Sequence, residues 1–338
     1  MKQYTYNGPT GERPYFVYVP QNYQASEAVP LVVMLHGCTQ KASEFATGTH
    51  MNELAERNNF LVVYPQQTRA AHNYYCWNWF QPINQERNSG EAALLAGMIQ
   101  EMVQQTTQWT IDKRRIYVAG ISAGGAMAAI LGATYPDLFA AIGIHSGITY
   151  KSAQNVRSGM RIMRRGGPDS IVQGDFIQAA MREHARVVPT IVFHGTNDFT
   201  VAPINGDQVV QQWMQSNMLV SQGAYRADFQ KPDSIITGRV PGGRSYEILT
   251  WNDGSGHPIQ EYWKINGMGH AWSGGNGGSY TDVKGPDASE AIYRFFIQHS
   301  LQDSKQDSVT ITAALRPSFW SNLVQHTIHL LQEKKEGK

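Results

Sequence analysis

Five short stretches of nearly unbroken apolar residues limit what this chain can fold into: "VPLVVMLHG", "NFLVVYPQQ", "RRIYVAG", "AAIGIHSG" and "VPTIVFHGTND". A strand covered on both faces reads this way, with no polar side to turn toward water. Helical spacing fills the intervals. Residues from about Glu44 to Asn58 carry Phe45, Met51, Leu54 and Ala55 at helical positions. From Ser89 to Gln108 the apolar face holds Leu94, Leu95, Met98, Ile99 and Met102. "SAGGAMAAILGATYP" is a helix of small residues closed by Tyr135-Pro136. This alternation predicts an α/β protein with a mostly parallel central sheet and helices on both faces.

The remaining segments fit around that frame. "RPYFVYVP" reads as an opening strand at a sheet edge, and "SYEILTW" and "EYWKINGMGH" as later strands. Thr149 to Arg186 is richer in Arg, Gly and Gln and is expected to be an insertion with short helices above the sheet. "ASEAIYRFFIQHS" is a helix that closes the main body near Ser300. Beyond it, "LQDSKQDS" is a polar linker over 301–308. A stripe of Trp320, Leu323, Val324, Thr327, Ile328 and Leu331 then predicts an amphipathic helix. That helix either docks on the body or adheres to a hydrophobic particle. The expected organisation is one body over 1–300 and a tail over 301–338.

Composition removes several classes of function. With 338 residues and 41% hydrophobic content the chain can bury a large core. A formal net charge of +1 argues against a nucleic-acid surface. No apolar run approaches the roughly 18 residues that span a bilayer. The opening "MKQYTYNGPTGERPYFVYVP" lacks a signal-peptide pattern, so the chain either stays inside the cell or is a mature form whose leader has been removed. Two cysteines, Cys38 and Cys76, are too few for a disulfide scaffold or a structural zinc site.

The third apolar run leads into "GISAG", residues 120–124, and the small-residue helix follows at once. This is the strand–turn–helix setting in which a G-x-S-x-G serine becomes a nucleophile, here Ser122. The flanking glycines leave room for a tight backbone turn. A serine hydroxyl needs a base to take its proton. In the order serine, acid, histidine, "VFHGTNDFTV" supplies Asp198 just past a buried strand, and "INGMGHAWSGG" supplies His270 in a Gly-rich turn. His36 and His194 precede glycine at strand ends and read as structural; Asp253 and Asp282 lie in polar loops without a leading apolar strand, and Asp137 follows the Tyr-Pro helix stop. Two backbone N–H groups would hold the oxyanion, from Ala123 at the helix start and Cys38 after Gly37. The chemistry expected is acyl transfer with no metal or organic cofactor.

Taken together, "LVVMLHGCTQ", "CWNWF", "IYVAGISAGGAMA", "HGTNDFTV" and "GMGHAWSGG" resemble the poly(3-hydroxybutyrate) depolymerase family of esterases, which also contains feruloyl and acetylxylan esterases. The resemblance runs from about Tyr15 to Ser300 and leaves the tail outside. It implies an α/β-hydrolase fold, a Ser122–Asp198–His270 triad and Cys38 as an oxyanion-hole residue through its backbone. It also implies aromatic substrate contacts near the cleft, for which Trp77, Trp79, Trp272 and Tyr74 are the candidates. Cys38 and Cys76 either form a bridge that ties the oxyanion loop to the aromatic segment or remain two thiols, according to compartment. The expected partner is an ester or polyester, including the surface of a polymer particle, with carbohydrate esters as the alternative. A third reading is a catalytically silent hydrolase-fold protein that binds polymer.

Overall fold

A computed structural model describes residues 1–301 of the chain. The stripe from Trp320 to Leu331 lies outside the described residues. The chain opens with an antiparallel hairpin, β1 (Lys2–Gly8) and β2 (Gly11–Tyr18). Next come β3 (Val29–Leu35), α1 (Ala42–Thr49), α2 (Met51–Asn58) and β4 (Leu61–Pro65). They are followed by α3 (Gly90–Gln104), β5 (Ile111–Ile121), α4 (Ala123–Thr134) and β6 (Ala141–His145). The inserted segment forms α5 (Val156–Arg165) and α6 (Ser170–Met181) before β7 (Thr190–Gly195) and α7 (Ile204–Val220). β8 (Ser234–Arg239), β9 (Ser245–Asn252), β10 (Pro258–Ile265) and α8 (Ala288–Phe296) complete the body.

These ten strands form one sheet in the order β1-β2-β4-β3-β5-β6-β7-β10-β9-β8, and Trp272–Ser273 pairs with Thr281–Asp282 in a separate two-stranded one. The six central strands, β4 to β10 in that order, run parallel, and an antiparallel pair closes each edge. Alternate residues of β3 enter opposite cores. Leu31, Val33 and Leu35 face α3 and α4 through Leu95, Met98 and Met127. Val32 and Met34 face the other side, with Phe45, Leu54, Ile292 and Phe296 from α1, α2 and α8. A strand buried on both faces has no place for a polar residue, which is why this run is continuous. Among the described residues, no helix is long and apolar enough to cross a membrane.

Two sequence expectations need correction, and both edge strands were missed. "RPYFVYVP" lies in β2, which is an inner strand between β1 and β4; the true edge, "KQYTYNG", is polar and largely exposed, and gave no signal. The helix expected over Glu44–Asn58 is two helices, broken where His50 adopts a left-handed φ of 55°. β8 also escaped notice, because this edge strand is mostly exposed on both faces.

Candidate active site

All the residues expected to act together sit at one edge, beyond the C-terminal ends of the parallel strands. β5 passes into α4 through a single residue, Ser122, held at φ 58° and ψ −120°. Such a backbone costs on the order of 1–3 kcal/mol and persists only where its surroundings enforce it. Here the Ser122 N–H donates to the His145 carbonyl at 2.9 Å, and the Ser122 carbonyl accepts from Ala126 at 2.9 Å. The turn also needs bare neighbours. A Cβ on Gly120 would lie 2.7 Å from the Leu35 carbonyl oxygen, and one on Gly124 would lie 2.6 Å from that of His36.

Two strands away, β7 ends at Gly195 and its turn carries Asp198, which is 2% exposed. Its Oδ1 accepts the N–H groups of Thr200 at 2.9 Å and Val201 at 2.8 Å. Its Oδ2 lies 2.7 Å from His270 Nδ1. Burial pushes the Asp198 carboxyl upward, but the hydrogen bond and charge of His270, with the Val201 amide, outweigh it and leave the group below its ordinary value. An ionised carboxylate only accepts, so Nδ1 carries the proton that faces Asp198. The two turns are joined along the backbone: Thr196 N–H donates to Ile265 at 3.0 Å and Asn197 N–H to Met268 at 3.0 Å.

The loop after β3 is equally constrained. Gly37 N–H donates to the Gln40 side chain at 2.8 Å, whose Nε2 donates to the Ser279 carbonyl at 2.8 Å. Thr39, at φ 65°, donates its N–H to the Tyr74 carbonyl at 2.6 Å. The structure joins Cys38 and Cys76 in a disulfide. Ala123 is the first residue of α4, so its N–H has no acceptor within the helix and stands at the positive end of the helix dipole.

The aromatic wall has to be redrawn. Trp77 is fully buried and donates from Nε1 to the His36 carbonyl at 3.0 Å. Trp272, 1% exposed, packs on His145 and Phe45 and donates to Ser289 Oγ at 3.1 Å. Trp79, 6% exposed, packs edge-on against Phe80 and lies under Gly159 of α5. Rings with no open face offer nothing to a substrate arriving from solvent, so the expectation for these three is corrected. Segment 76–84 is stitched down by a buried network in which Glu91 accepts from Gln67 Nε2 at 2.5 Å and from the Asn78 N–H at 2.7 Å, with Arg13 close by. Of the four candidates only Tyr74 is open, at 67% exposure, beside a depression of about 400 Å³ that also involves His72, Phe80 and Val156.

Residues 13–233 match the family model described as esterase PHB depolymerase. The chain belongs to that family. It is 34% identical over 75% of its length to poly(3-hydroxyalkanoate) depolymerase C of Paucimonas lemoignei, covering 57% of that protein. It is 27% identical over 79% of its length to a poly(3-hydroxybutyrate) depolymerase of Ralstonia pickettii, covering 52% of it. It is also 28% identical over 73% of its length to acetylxylan esterase A of Emericella nidulans, covering 80% of that protein. The chain thus spans little more than half the length of the two depolymerases. Among solved structures, the acetyl xylan esterase from Aspergillus awamori superposes with a TM-score of 0.69 at 20% identity, covering 88% of this chain and 99% of that one. This likeness carries the fold, an α/β-hydrolase.

Three residues near the candidate site went unread in the sequence. Tyr280, 46% exposed, sets its ring edge-on to His270 at 6.3 Å, with its hydroxyl 3.2 Å from Thr39 Oγ1. Phe199, beside Asp198, is 84% exposed. His145 is the last residue of β6 and is fully buried. Tyr280 and Phe199 lie in polar loops without periodicity. The "IHSG" of β6 was read as strand alone.

Proposed function

We propose that this protein is a carboxylic ester hydrolase that works through an acyl-enzyme on Ser122, with Asp198 and His270 completing the triad. The reading rests on one observation above the others: a serine in a strained strand-to-helix turn shares a sheet edge with a buried carboxylate already bonded to a histidine. His270 Nε2 takes the hydroxyl proton as Ser122 Oγ attacks the ester carbonyl. Asp198 stays ionised and steadies the imidazolium. The N–H groups of Cys38 and Ala123 hold the oxyanion. The tetrahedral intermediate collapses, the alkoxide takes the proton from His270 and leaves, and a water then repeats the sequence to free the acid and Ser122.

The proposed substrate is poly(3-hydroxybutyrate) or a related short-chain polyester or oligomer. Support comes from the 34% identity with a poly(3-hydroxyalkanoate) depolymerase and from the open rings of Tyr74, Phe199 and Tyr280, each joined to a different segment of the site. Open rings bury apolar substrate surface at small entropic cost. The acetylxylan esterase relatives favour a second reading, a carbohydrate ester. Replacing Ser122 by Ala should reduce turnover of p-nitrophenyl butyrate by at least about 10⁴-fold; unchanged turnover removes the assignment. Clearing of a poly(3-hydroxybutyrate) suspension without acetate or ferulate release from xylan supports the polyester reading, and the reverse result replaces it.

A further inference from the structure

His145 is fully buried at the end of β6 and makes three separate connections. Its carbonyl accepts the N–H of Ser122 at 2.9 Å. Its Nε2 accepts the N–H of Ser273, three residues after His270, at 3.1 Å. Its ring is stacked between Phe193 of β7 at 5.5 Å and Trp272 at 5.0 Å. One residue therefore touches the turn that holds the serine, the strand that leads to the acid and the turn that carries the histidine.

The ring's protonation follows from these contacts. A backbone N–H can only donate, so Nε2 must be bare and the proton must sit on Nδ1, which lies 3.3 Å from Ser146 Oγ. A cationic ring would set a second N–H against that of Ser273. Burial, with the neighbouring His194 and His270, holds the imidazole well below its ordinary value, so it stays neutral at working pH.

We propose that His145 is a positioning residue for the ester-hydrolysis reaction, its Nε2 fixing the backbone of Ser273, and with it the turn bearing His270, relative to the elbow that its own carbonyl holds. The proposal rests on the triad reading above. Displacements of about 1 Å at such a site can cost roughly 100-fold in rate. Loss of the acceptor acts on kcat, because the fully buried His145 presents no surface to a substrate.

Two substitutions separate positioning from packing. His145→Phe keeps an aromatic ring between Phe193 and Trp272 but removes the acceptor. His145→Gln loses the ring but places an amide oxygen near the Nε2 position. With p-nitrophenyl butyrate, His145→Phe should lower kcat about 10- to 100-fold with KM within about twofold, and His145→Gln should recover most of the loss. The reverse ranking, or a fall in thermal stability that tracks activity in both variants, makes the residue a packing element and overturns the proposal. Nitrogen NMR of the wild-type ring needs no variant: Nδ1 protonated and Nε2 bare from pH 6 to 8 is expected, and the opposite tautomer sinks the idea. Ser122→Ala is assayed alongside. If it keeps full turnover, the triad reading has failed; if it is inactive while His145→Phe retains wild-type kcat, only the positioning role has failed.

Discussion

Asp198 Oδ2 accepts the Nδ1 proton of His270 at 2.7 Å, across 72 residues of chain. The carboxylate is buried and its other oxygen is already satisfied by two backbone amides, so it cannot turn away from the imidazole. Replacing Asp198 by Asn leaves the shape but can present an N–H to Nδ1, which favours the opposite tautomer. Expected is a loss of about 10³- to 10⁴-fold in kcat with little change in KM, measured on a soluble ester. A loss below about tenfold would mean that another group serves as the acid.

Gly124 tests the elbow itself. A methyl group there meets the His36 carbonyl oxygen at 2.6 Å, a contact that backbone cannot relieve without moving α4 from β3. Gly124→Ala should cost about 1–3 kcal/mol and depress kcat as the Ser122 turn shifts. Gly254, in an open turn with nothing within 4 Å of an added Cβ, provides the comparison, and its Ala variant should unfold within about 0.5 kcal/mol of wild type. Equal urea midpoints for the two variants would contradict the packing described.

The Cys38–Cys76 bridge closes 38 residues of sequence separation and fixes the loop expected to hold the oxyanion. Converting both cysteines to serine should remove about 3–4 kcal/mol of stability and lower the melting temperature. It should also reduce kcat about tenfold, because Thr39 and its neighbours would lose their covalent tie to residue 76 and keep hydrogen bonds alone, among them those to Tyr74, Tyr280 and Ser279. Thiol titration of the unfolded wild-type protein before and after reduction checks the bridge. An unchanged kcat in the double variant would show that the hydrogen bonds alone hold the loop.

Stability should fall on mild acidification. Burial pushes the His36 imidazole down from 6.5 to about 4, and burial likewise lowers His145 and His194. Between those two pH values the unfolded chain binds a proton that the folded ring refuses, so unfolding becomes easier as pH drops from 6.5 toward 4. Above 6.5 this contribution is fully present. For His36 the displacement corresponds to on the order of 3 kcal/mol. Urea midpoints at pH 7.5, 6.5, 5.5 and 4.5 should be level over the first step and decline over the others; a level series throughout refutes the account.

What could be read from the linear chain was whatever depends on near neighbours. The unbroken apolar runs of β3 to β7 declared a sheet covered on both faces, because each strand must satisfy its own two cores. Ser122 stood out because the elbow is a local device, with strand, glycines and helix all within a few residues. Edge strands β1 and β8 did not, since a strand that faces water on one or both sides keeps little apolar pattern.

Long-range choices belonged to the folded molecule. Which tryptophans would be buried could not be told from "NYYCWNWF", because a ring that packs and a ring that waits for substrate have the same composition. Glu91, Gln67 and Arg13, brought in from three other segments, drew Trp77 and Trp79 inward and left Tyr74 outside. His145 likewise acquired its connections only when β5, β6 and β7 lay side by side and the turn after β10 closed over them. Sequence alone sets what each segment can do by itself; the packing of distant segments decides which side chains meet, because hydrogen bonds and buried contacts act over a few ångströms of space whatever the separation along the chain.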